Sequence, residues 1–161
     1  MIFVTIGTQE PFDRLIKTMD ELAHKLHVEI VAQVSEKSDI LVKNMKTFDF
    51  MEPKEFDQYF NNAELIVAHA GMGTIISSLV KRKPLIILPR EREFMEHRND
   101  HQLATVKYFS KLGLINAAKD INDLELQITE FMKGTKKLTM PTLGNFASTS
   151  LIEAIRDEIG F

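Results

Sequence analysis

The chain has 161 residues and a formal net charge of −3, with 44% hydrophobic and 27% charged residues, so we expect residues 1–161 to form one globular domain. The charge and the lack of a basic stripe argue against nucleic-acid binding. The absence of cysteine excludes disulfides and thiolate metal sites and fits a reducing compartment. No run approaches the ~20 apolar residues of a membrane span, so we expect a soluble, cytoplasmic protein without a leader.

The chain opens with two apolar segments on either side of an amphipathic one. Residues 2–6 and 28–34 predict two buried strands. Apolar side chains recur at helical spacing over residues 12–26, which predicts a helix between the strands. Pro11 suits the first position of that helix, where its missing N–H costs nothing.

The next stretch gives a weaker signal. Residues 40–42 and 47–50 each fit a short strand, and Pro53 begins a short helix that ends at Asn61 and Asn62. We expect the aromatic side chains of this helix to pack in the core: Phe56, Tyr59 and Phe60.

The centre of the chain, residues 64–89, reads as a strand, a glycine turn, a helix and a strand. Residues 65–68 and 85–88 are short apolar runs typical of strands buried on both faces. The turn 69–74 between them contains Gly71 and Gly73, which can take φ > 0 and let a ligand approach the backbone. The helix that follows has apolar side chains at helical spacing: Ile75, Ile76, Leu79 and Val80. A parallel β-α-β crossover is the predicted arrangement.

Each glycine turn leads from a strand toward a helix N-terminus, where backbone N–H groups lack partners and anions bind. The turn at Gly7 is a second such place, and two neighbouring strands would bring both turns to one edge of the sheet. Two cradles at one edge suit a doubly charged ligand such as a nucleoside diphosphate. The spacing alone leaves phosphate binding and a plain tight turn both open, because no third glycine follows and there is no P-loop lysine.

The last third alternates in the same way. Asn99 or Asp100 can cap a helix, residues 114–117 predict a short strand, and Asn122 or Asp123 can open the next helix. The buried side of the first of these helices is predicted to be Leu103, Val106, Phe109 and Leu112. A final helix is predicted around residues 150–159. The whole pattern predicts an α/β, Rossmann-like, doubly wound parallel sheet.

Polar side chains near the predicted ligand edge allow more than one interpretation. His69 ends a buried strand and is either a satisfied core histidine or a ligand contact. His97 and His101 have the i, i+4 spacing of a metal-binding pair but lack an HExxH pattern, so we expect no metal. The alternative is that Asp100, His101 and Gln102 are polar groups at a helix start that read sugar hydroxyls.

Four segments together resemble a known family. They are VAHAGMGTI, KPLIILPR and NDHQLA, with the opening IFVTIGTQEPFDRLI. They resemble the C-terminal, UDP-sugar-binding half of GT-B glycosyltransferases of family 28, and the likeness spans nearly the whole chain. The chain looks most like the short, separately encoded versions of that half. These are the soluble subunit of the two-part GlcNAc transferase of dolichol-linked glycan synthesis and bacterial exopolysaccharide subunits.

The resemblance implies roles for individual residues. The turns 7–9 and 71–74 would face the diphosphate, Arg90 would lie by the uracil-binding strand end, and Asp100 with Gln102 would contact the donor sugar. The substrate-binding residues implied in this way are Gly7, Thr8, Gln9, His69, Ala70, Gly71, Met72, Gly73, Thr74, Arg90, Asn99, Asp100, His101 and Gln102. The sequence departs from the family at Ser77, where relatives commonly carry a glutamate that binds the ribose, so that contact is in doubt.

The resemblance also implies a function. It is that of a donor-binding subunit of a UDP-sugar-dependent hexosyl- or N-acetylglucosaminyltransferase, inverting and without a metal or other cofactor, in polysaccharide or glycan synthesis. A second, membrane-associated subunit would supply the lipid-linked acceptor and the catalytic base, and would recruit this chain to the cytoplasmic face of the membrane. The chain alone would be inactive.

Two other functions are considered. One is a non-catalytic activator or binding module that stabilises a partner glycosyltransferase. The other, a sugar-nucleotide epimerase of GT-B build, fits less well because the chain has half the length such an enzyme needs.

Overall fold

The computed structural model describes residues 1–8, 10–38, 40–96 and 101–141, except for the side chain of His101. The strands are β1 Ile2–Thr5, β2 Ile30–Gln33, β3 Lys46–Phe48, β4 Leu65–Ala68, β5 Leu85–Ile87 and β6 Asn116–Ala117. The helices are α1 Asp13–Leu26, α2 Pro53–Asn62, α3 Met72–Lys81, α4 His101–Lys111 and α5 Ile121–Met132, with a short 3-10 helix at Arg92–Phe94.

The six strands form one sheet in the order β3-β2-β1-β4-β5-β6, and every neighbouring pair is parallel. The order reverses between β1 and β4, which lie side by side with Thr5 opposite Ala68. In sheets of this kind ligands bind beyond the carboxyl ends of the strands at the point of reversal. The predicted Rossmann-like parallel sheet is confirmed, and so is the expectation that the two glycine turns share one edge.

Helices cover both faces of the sheet because successive strand side chains point to opposite sides. On one face Val4 and Ala32 pack with apolar side chains of α1 and α5. On the other face Phe3 and Val31 pack with α2 and α3. Strands buried on both faces read as continuous apolar runs, and β1 and β4 do so. The predicted core packing of the α2 aromatics is confirmed: Phe60 is buried, and the ring of Phe56 lies 5.2 Å from that of Phe3.

Several local expectations are wrong in detail. Helix α1 begins at Asp13 after the N-cap Phe12, so Pro11 precedes the helix instead of opening it. Helix α3 begins at Met72, so the turn before it is shorter than 69–74. Ile76, predicted to lie on the apolar side of this helix, is 47% exposed.

The later part of the described chain shows similar differences. Residues 40–42 form no strand, and Asp120, not a later residue, caps α5 by accepting a hydrogen bond from the N–H of Asp123. Leu103 on α4 and Leu112 just after its end are exposed, because only the side of Val106 and Phe109 packs on the core. The predicted final helix lies outside the described residues.

Candidate functional site

Two cavities lie at the carboxyl edge of the sheet and share a wall. The wall is formed by Gly7 and Thr8, which follow β1 and line both cavities. The smaller cavity, of about 250 Å³, is polar and is also lined by Ile6, Glu10, His69, Arg90 and Gln102. The larger cavity, of about 370 Å³, is mostly apolar, and its other lining residues are Thr5, Gln33, Phe50, Met51, Pro53, Phe56, Phe60, Gly73, Thr74 and Ser77.

The N-terminus of α3 opens on the larger cavity through Gly73 and Thr74. The first intrahelical hydrogen bond is donated by the N–H of Ile75 to the carbonyl of Gly71, at 3.1 Å. The N–H groups before Ile75 therefore have no intrahelical acceptor and carry the positive end of the helix dipole. The first turn of α3 holds no acidic residue and its cap makes no side-chain hydrogen bond, so this N-terminus suits an anionic ligand.

The N-terminus of α1 is a poorer anion site. Asp13 occupies its first turn and accepts a hydrogen bond from the hydroxyl of Ser38 at 2.6 Å. This carboxylate already lies at the positive end of the dipole and would repel a phosphate. The predicted anion site after β4 is therefore a helix N-terminus. The predicted anion site after β1 is the turn at Gly7 and not the start of α1.

The two glycine turns meet at the imidazole of His69. Gly7 has φ +73°, a conformation that side chains with a Cβ rarely adopt, and a Cβ added there would lie 3.3 Å from His69 Cε1. A Cβ on Gly71 would lie 2.4 Å from His69 Nε2. Neither Gly71, with φ −83°, nor Gly73 uses the positive φ that glycine permits. Gly71 instead leaves room for the ring, and His69 lines the smaller cavity.

Arg90, expected at the uracil end of the site, is buried beneath the first turn. Its Nη2 donates to the carbonyls of Ile6 and Glu10 at 2.8 and 2.6 Å. Its Nη1 donates to the carbonyls of Pro11 and Glu96 at 3.0 and 3.3 Å. Desolvation lowers the pKa of the Arg90 guanidinium, while Glu96 and Glu10 oppose this shift. Arginine remains charged at neutral pH, so the group acts as a fixed positive clamp on the chain between β1 and α1.

A second arginine holds the loop that follows β5. Arg14 Nε and Nη2 donate to the two carboxylate oxygens of Glu96 at 2.7 and 2.8 Å, and Nη2 also lies 3.4 Å from Glu91. Paired hydrogen bonds of this kind fix orientation as well as distance. The loops after β1 and β5 are therefore joined by Arg90 from one side and by Arg14 from the other.

Gln102 connects β4, β5 and α4. Its Oε1 accepts hydrogen bonds from the N–H of Ala70 at 3.2 Å and from the N–H of Arg90 at 3.1 Å. These two donors use both lone pairs of the carbonyl oxygen, so this oxygen does not read sugar hydroxyls as the sequence suggested. Only the Nε2 group is left for a ligand in the smaller cavity, which Gln102 lines.

The remaining predicted residues fall into two groups. Within the described chain, Ala70 is buried and Met72 is 44% exposed beside the helix start. Gln9, His97, Asn99, Asp100 and the side chain of His101 lie outside the described residues. The described ranges contain no group of three or more His, Asp or Glu side chains placed to hold a metal ion. None of their helices has the length and hydrophobicity of a transmembrane segment.

Sequence reasoning missed the lining of the larger cavity. Phe50 and Met51 follow β3, in the stretch where the periodicity is weakest, and carry no motif. Gln33 gives a detectable signal, because it is the one polar residue at the end of an otherwise apolar strand. A polar side chain at the carboxyl end of a buried parallel strand is placed where ligands bind.

Comparison with known proteins identifies the sequence family. The profile of the "Glycosyltransferase family 28 C-terminal domain" matches residues 1–155. The subunit named "UDP-N-acetylglucosamine transferase subunit ALG13" from Candida albicans is 35% identical over 64 residues, 40% of this chain and 20% of that protein. The protein of the same name from Debaryomyces hansenii is 24% identical over 145 residues, 81% of this chain and 66% of that one. The chain thus spans from a fifth to two thirds of the length of these relatives.

The fold has a close counterpart among solved structures. The NMR solution structure of ALG13 superposes with a TM-score of 0.56 at 20% sequence identity, covering 96% of this chain and 93% of that one. At this level of identity the likeness concerns the fold. It extends over nearly the full length of both chains.

Proposed function

Since the chain belongs to the glycosyltransferase family 28 C-terminal domain family, we propose that it is the donor-binding subunit of a UDP-sugar-dependent glycosyltransferase. The group transferred is a hexosyl or N-acetylglucosaminyl unit, the acceptor is a lipid-linked saccharide, and the reaction inverts the anomeric centre. The name of the relatives, a UDP-N-acetylglucosamine transferase subunit, favours N-acetylglucosamine as the donor sugar.

The observation that carries the proposal is the pair of unlike cavities on either side of Gly7 and Thr8. A nucleotide sugar has three parts in a row: a flat base with its ribose, a diphosphate and a polar sugar. The larger cavity offers the aromatic and apolar surface that a base requires, with Phe50, Met51 and Phe56 on its lining. The smaller, polar cavity suits the sugar. The diphosphate would then cross the shared wall.

The electrostatics of the larger cavity agree with this assignment. The N-terminus of α3 faces the larger cavity at Gly73 and Thr74, with unpartnered N–H groups and no nearby acid in its first turn. These donors are fixed before the reaction starts, so they can stabilise the negative charge that develops on the departing UDP. We propose that they do this without a bound metal. Arg90 holds the opposing turn in place and contacts no phosphate in this scheme.

We further propose that a second, membrane-associated subunit completes the enzyme. The described residues form one parallel sheet with the proposed donor site at its carboxyl edge, and the acceptor site would lie on the partner. The partner would bring the lipid-linked acceptor and the base that removes its proton. The purified chain given UDP-sugar and acceptor should then show negligible turnover, and turnover at ordinary enzymatic rates, about 1–10³ s⁻¹, would show that no second subunit is needed.

Calorimetric titration with UDP tests donor binding. A Cβ at Gly73 meets no atom within 4 Å, so Gly73→Val should fold normally while its side chain fills the space of the diphosphate. We expect the wild type to bind UDP and the variant to bind at least about tenfold more weakly, a difference of at least about 1.4 kcal/mol. Ala104→Val adds the same side chain at an exposed position of α4 and should leave UDP binding unchanged.

The same titration separates the two function classes. A scaffold that only stabilises a partner transferase would bind UDP in neither form. Titration of the wild type with several UDP-sugars then identifies the donor, because the sugar cavity should distinguish them.

A further inference from the structure

Two polar side chains end two neighbouring strands on the same side of the sheet. Thr5 closes β1 and Gln33 closes β2, and the two residues lie directly opposite each other in the parallel register. They are 3% and 5% exposed, and the other residues of both strands are apolar and buried. Their position two residues after Phe3 and Val31 puts them on the face covered by α2 and α3.

That face contains the larger cavity, and both Thr5 and Gln33 line it. The Oε1 atom of Gln33 is buried and has no hydrogen-bond donor among the described residues. Buried side-chain oxygens are paired in the large majority of cases, so an unpaired one on a residue that lines a cavity needs an explanation. The same cavity is lined by the apolar side chains of Met51, Phe56 and Phe60 and by the hydroxyl side chains of Thr5, Thr8, Thr74 and Ser77, and none of these hydroxyls donates to the Gln33 oxygen.

The amide of Gln33 is matched to one part of the donor nucleotide. A side-chain amide has a carbonyl acceptor next to two N–H donors. A nucleoside offers complementary groups, the imide N–H and carbonyl oxygens of uracil and the hydroxyls of ribose. A phosphate offers acceptors only, so it cannot satisfy the unpaired oxygen of Gln33. The sugar is assigned to the smaller cavity, so the nucleoside is the part of the ligand that can donate to this oxygen in the larger one.

We propose that Gln33 is a specificity-determining residue that accepts a hydrogen bond from the nucleoside of the donor and fixes its depth in the larger cavity. The inference rests on the proposed function, because it assumes that a nucleoside diphosphate occupies this edge. It adds a residue on β2 to a site otherwise formed by the turns after β1 and β4. It also gives the nucleoside a polar contact in the same cavity as Ser77, the position at which the ribose contact is in doubt.

The test uses Gln33→Met, which keeps the length of the side chain and removes its polar atoms. We expect UDP to bind this variant about tenfold more weakly than the wild type, because an N–H or O–H group of the nucleoside then has no hydrogen-bond acceptor. Binding of inorganic pyrophosphate should be unchanged. The thermal midpoint should stay the same or rise, because the substitution removes an unpaired buried acceptor.

Gln127→Met is the matched control. Gln127 is equally buried, but its Nε2 donates to the carbonyl of Ala117 and to Asp123 on the other side of the fold. This variant should lower the thermal midpoint and leave UDP binding intact.

The outcomes separate the two proposals. Wild-type affinity for UDP in Gln33→Met overturns the inference alone. Equal losses of UDP and pyrophosphate binding overturn it too, because Gln33 would then act through the phosphate site or the fold. If the wild type binds no UDP, the proposed function fails and the inference fails with it.

Discussion

The turns after β1 and β4 look alike in sequence and differ in structure. Both lead from a buried strand through glycine toward a helix. The first turn contains Gly7 at positive φ and is held by three hydrogen bonds from Arg90, which lies about eighty residues further along the chain. The second turn enters α3 directly at Met72, with a negative φ at Gly71.

The difference shows that one sequence pattern serves two tasks. The second turn offers free N–H groups at a helix start, a property that local sequence creates. The first turn offers a fixed shape, which depends on distant side chains, and its own helix begins with the carboxylate of Asp13. Substitutions in the first turn should therefore damage folding as well as binding. Substitutions at Gly73 should weaken binding without damaging the fold.

The largest effect is expected for Arg90→Met. The substitution leaves the buried carbonyl of Ile6 and the partly buried carbonyls of Glu10 and Pro11 without this donor, and an unpaired buried group costs about 1–3 kcal/mol. We predict a loss of about 3 kcal/mol in the free energy of unfolding, measured by urea denaturation, together with weaker UDP binding. Arg82→Met, at an exposed position after α3, should change stability little. An Arg90→Met protein as stable as wild type would show that the first turn holds its shape without the clamp.

A smaller effect is expected for Gly7→Ala. The added Cβ must adopt the left-handed conformation at φ +73°, which costs roughly 1–2 kcal/mol, and it lies 3.3 Å from the ring of His69. Thermal denaturation followed by circular dichroism should show the corresponding fall in stability. Unchanged stability would mean that the turn relaxes to another conformation at no cost.

The smallest effect on folding is expected for Gly73→Ala. This glycine lies in the first turn of α3 with ordinary helical backbone and open space around its Cβ position. Alanine reduces the freedom of the unfolded chain, so the free energy of unfolding should rise by about 0.4–1 kcal/mol. The same substitution is thus expected to lower the free energy of unfolding at Gly7 and to raise it at Gly73. A loss of stability in both would erase the distinction between the turns.

The sequence predicted the parts of the fold that depend on local pattern. The apolar runs of β1, β2, β4 and β5 and the stripe of α1 were sufficient to predict a parallel sheet with two glycine turns at one edge. Parallel strands buried on both faces leave little choice of arrangement, because their crossovers have a fixed hand.

The roles of the polar side chains could not be predicted in the same way. Arg90 lines the smaller cavity, and its guanidinium donates to carbonyls of the first turn, which lie about eighty residues away in the sequence. The carbonyl of Gln102 was expected to read a sugar and instead joins two strand ends. Gln33 was not singled out, although its place at a strand end was visible. Whether a charged or amide group near a site bonds to the protein or to the ligand depends on contacts between distant parts of the chain. The spacing of residues in the sequence does not predict these contacts.

The central claim is that both turns contact one diphosphate, and a ¹H–¹⁵N NMR titration of the wild-type chain with UDP tests it most directly. The account predicts that the amide signals of Thr8, after the first turn, and of Gly73 and Thr74, at the start of α3, shift together and saturate with a single dissociation constant. Shifts confined to one of the two turns, or separate dissociation constants for the two, would contradict it.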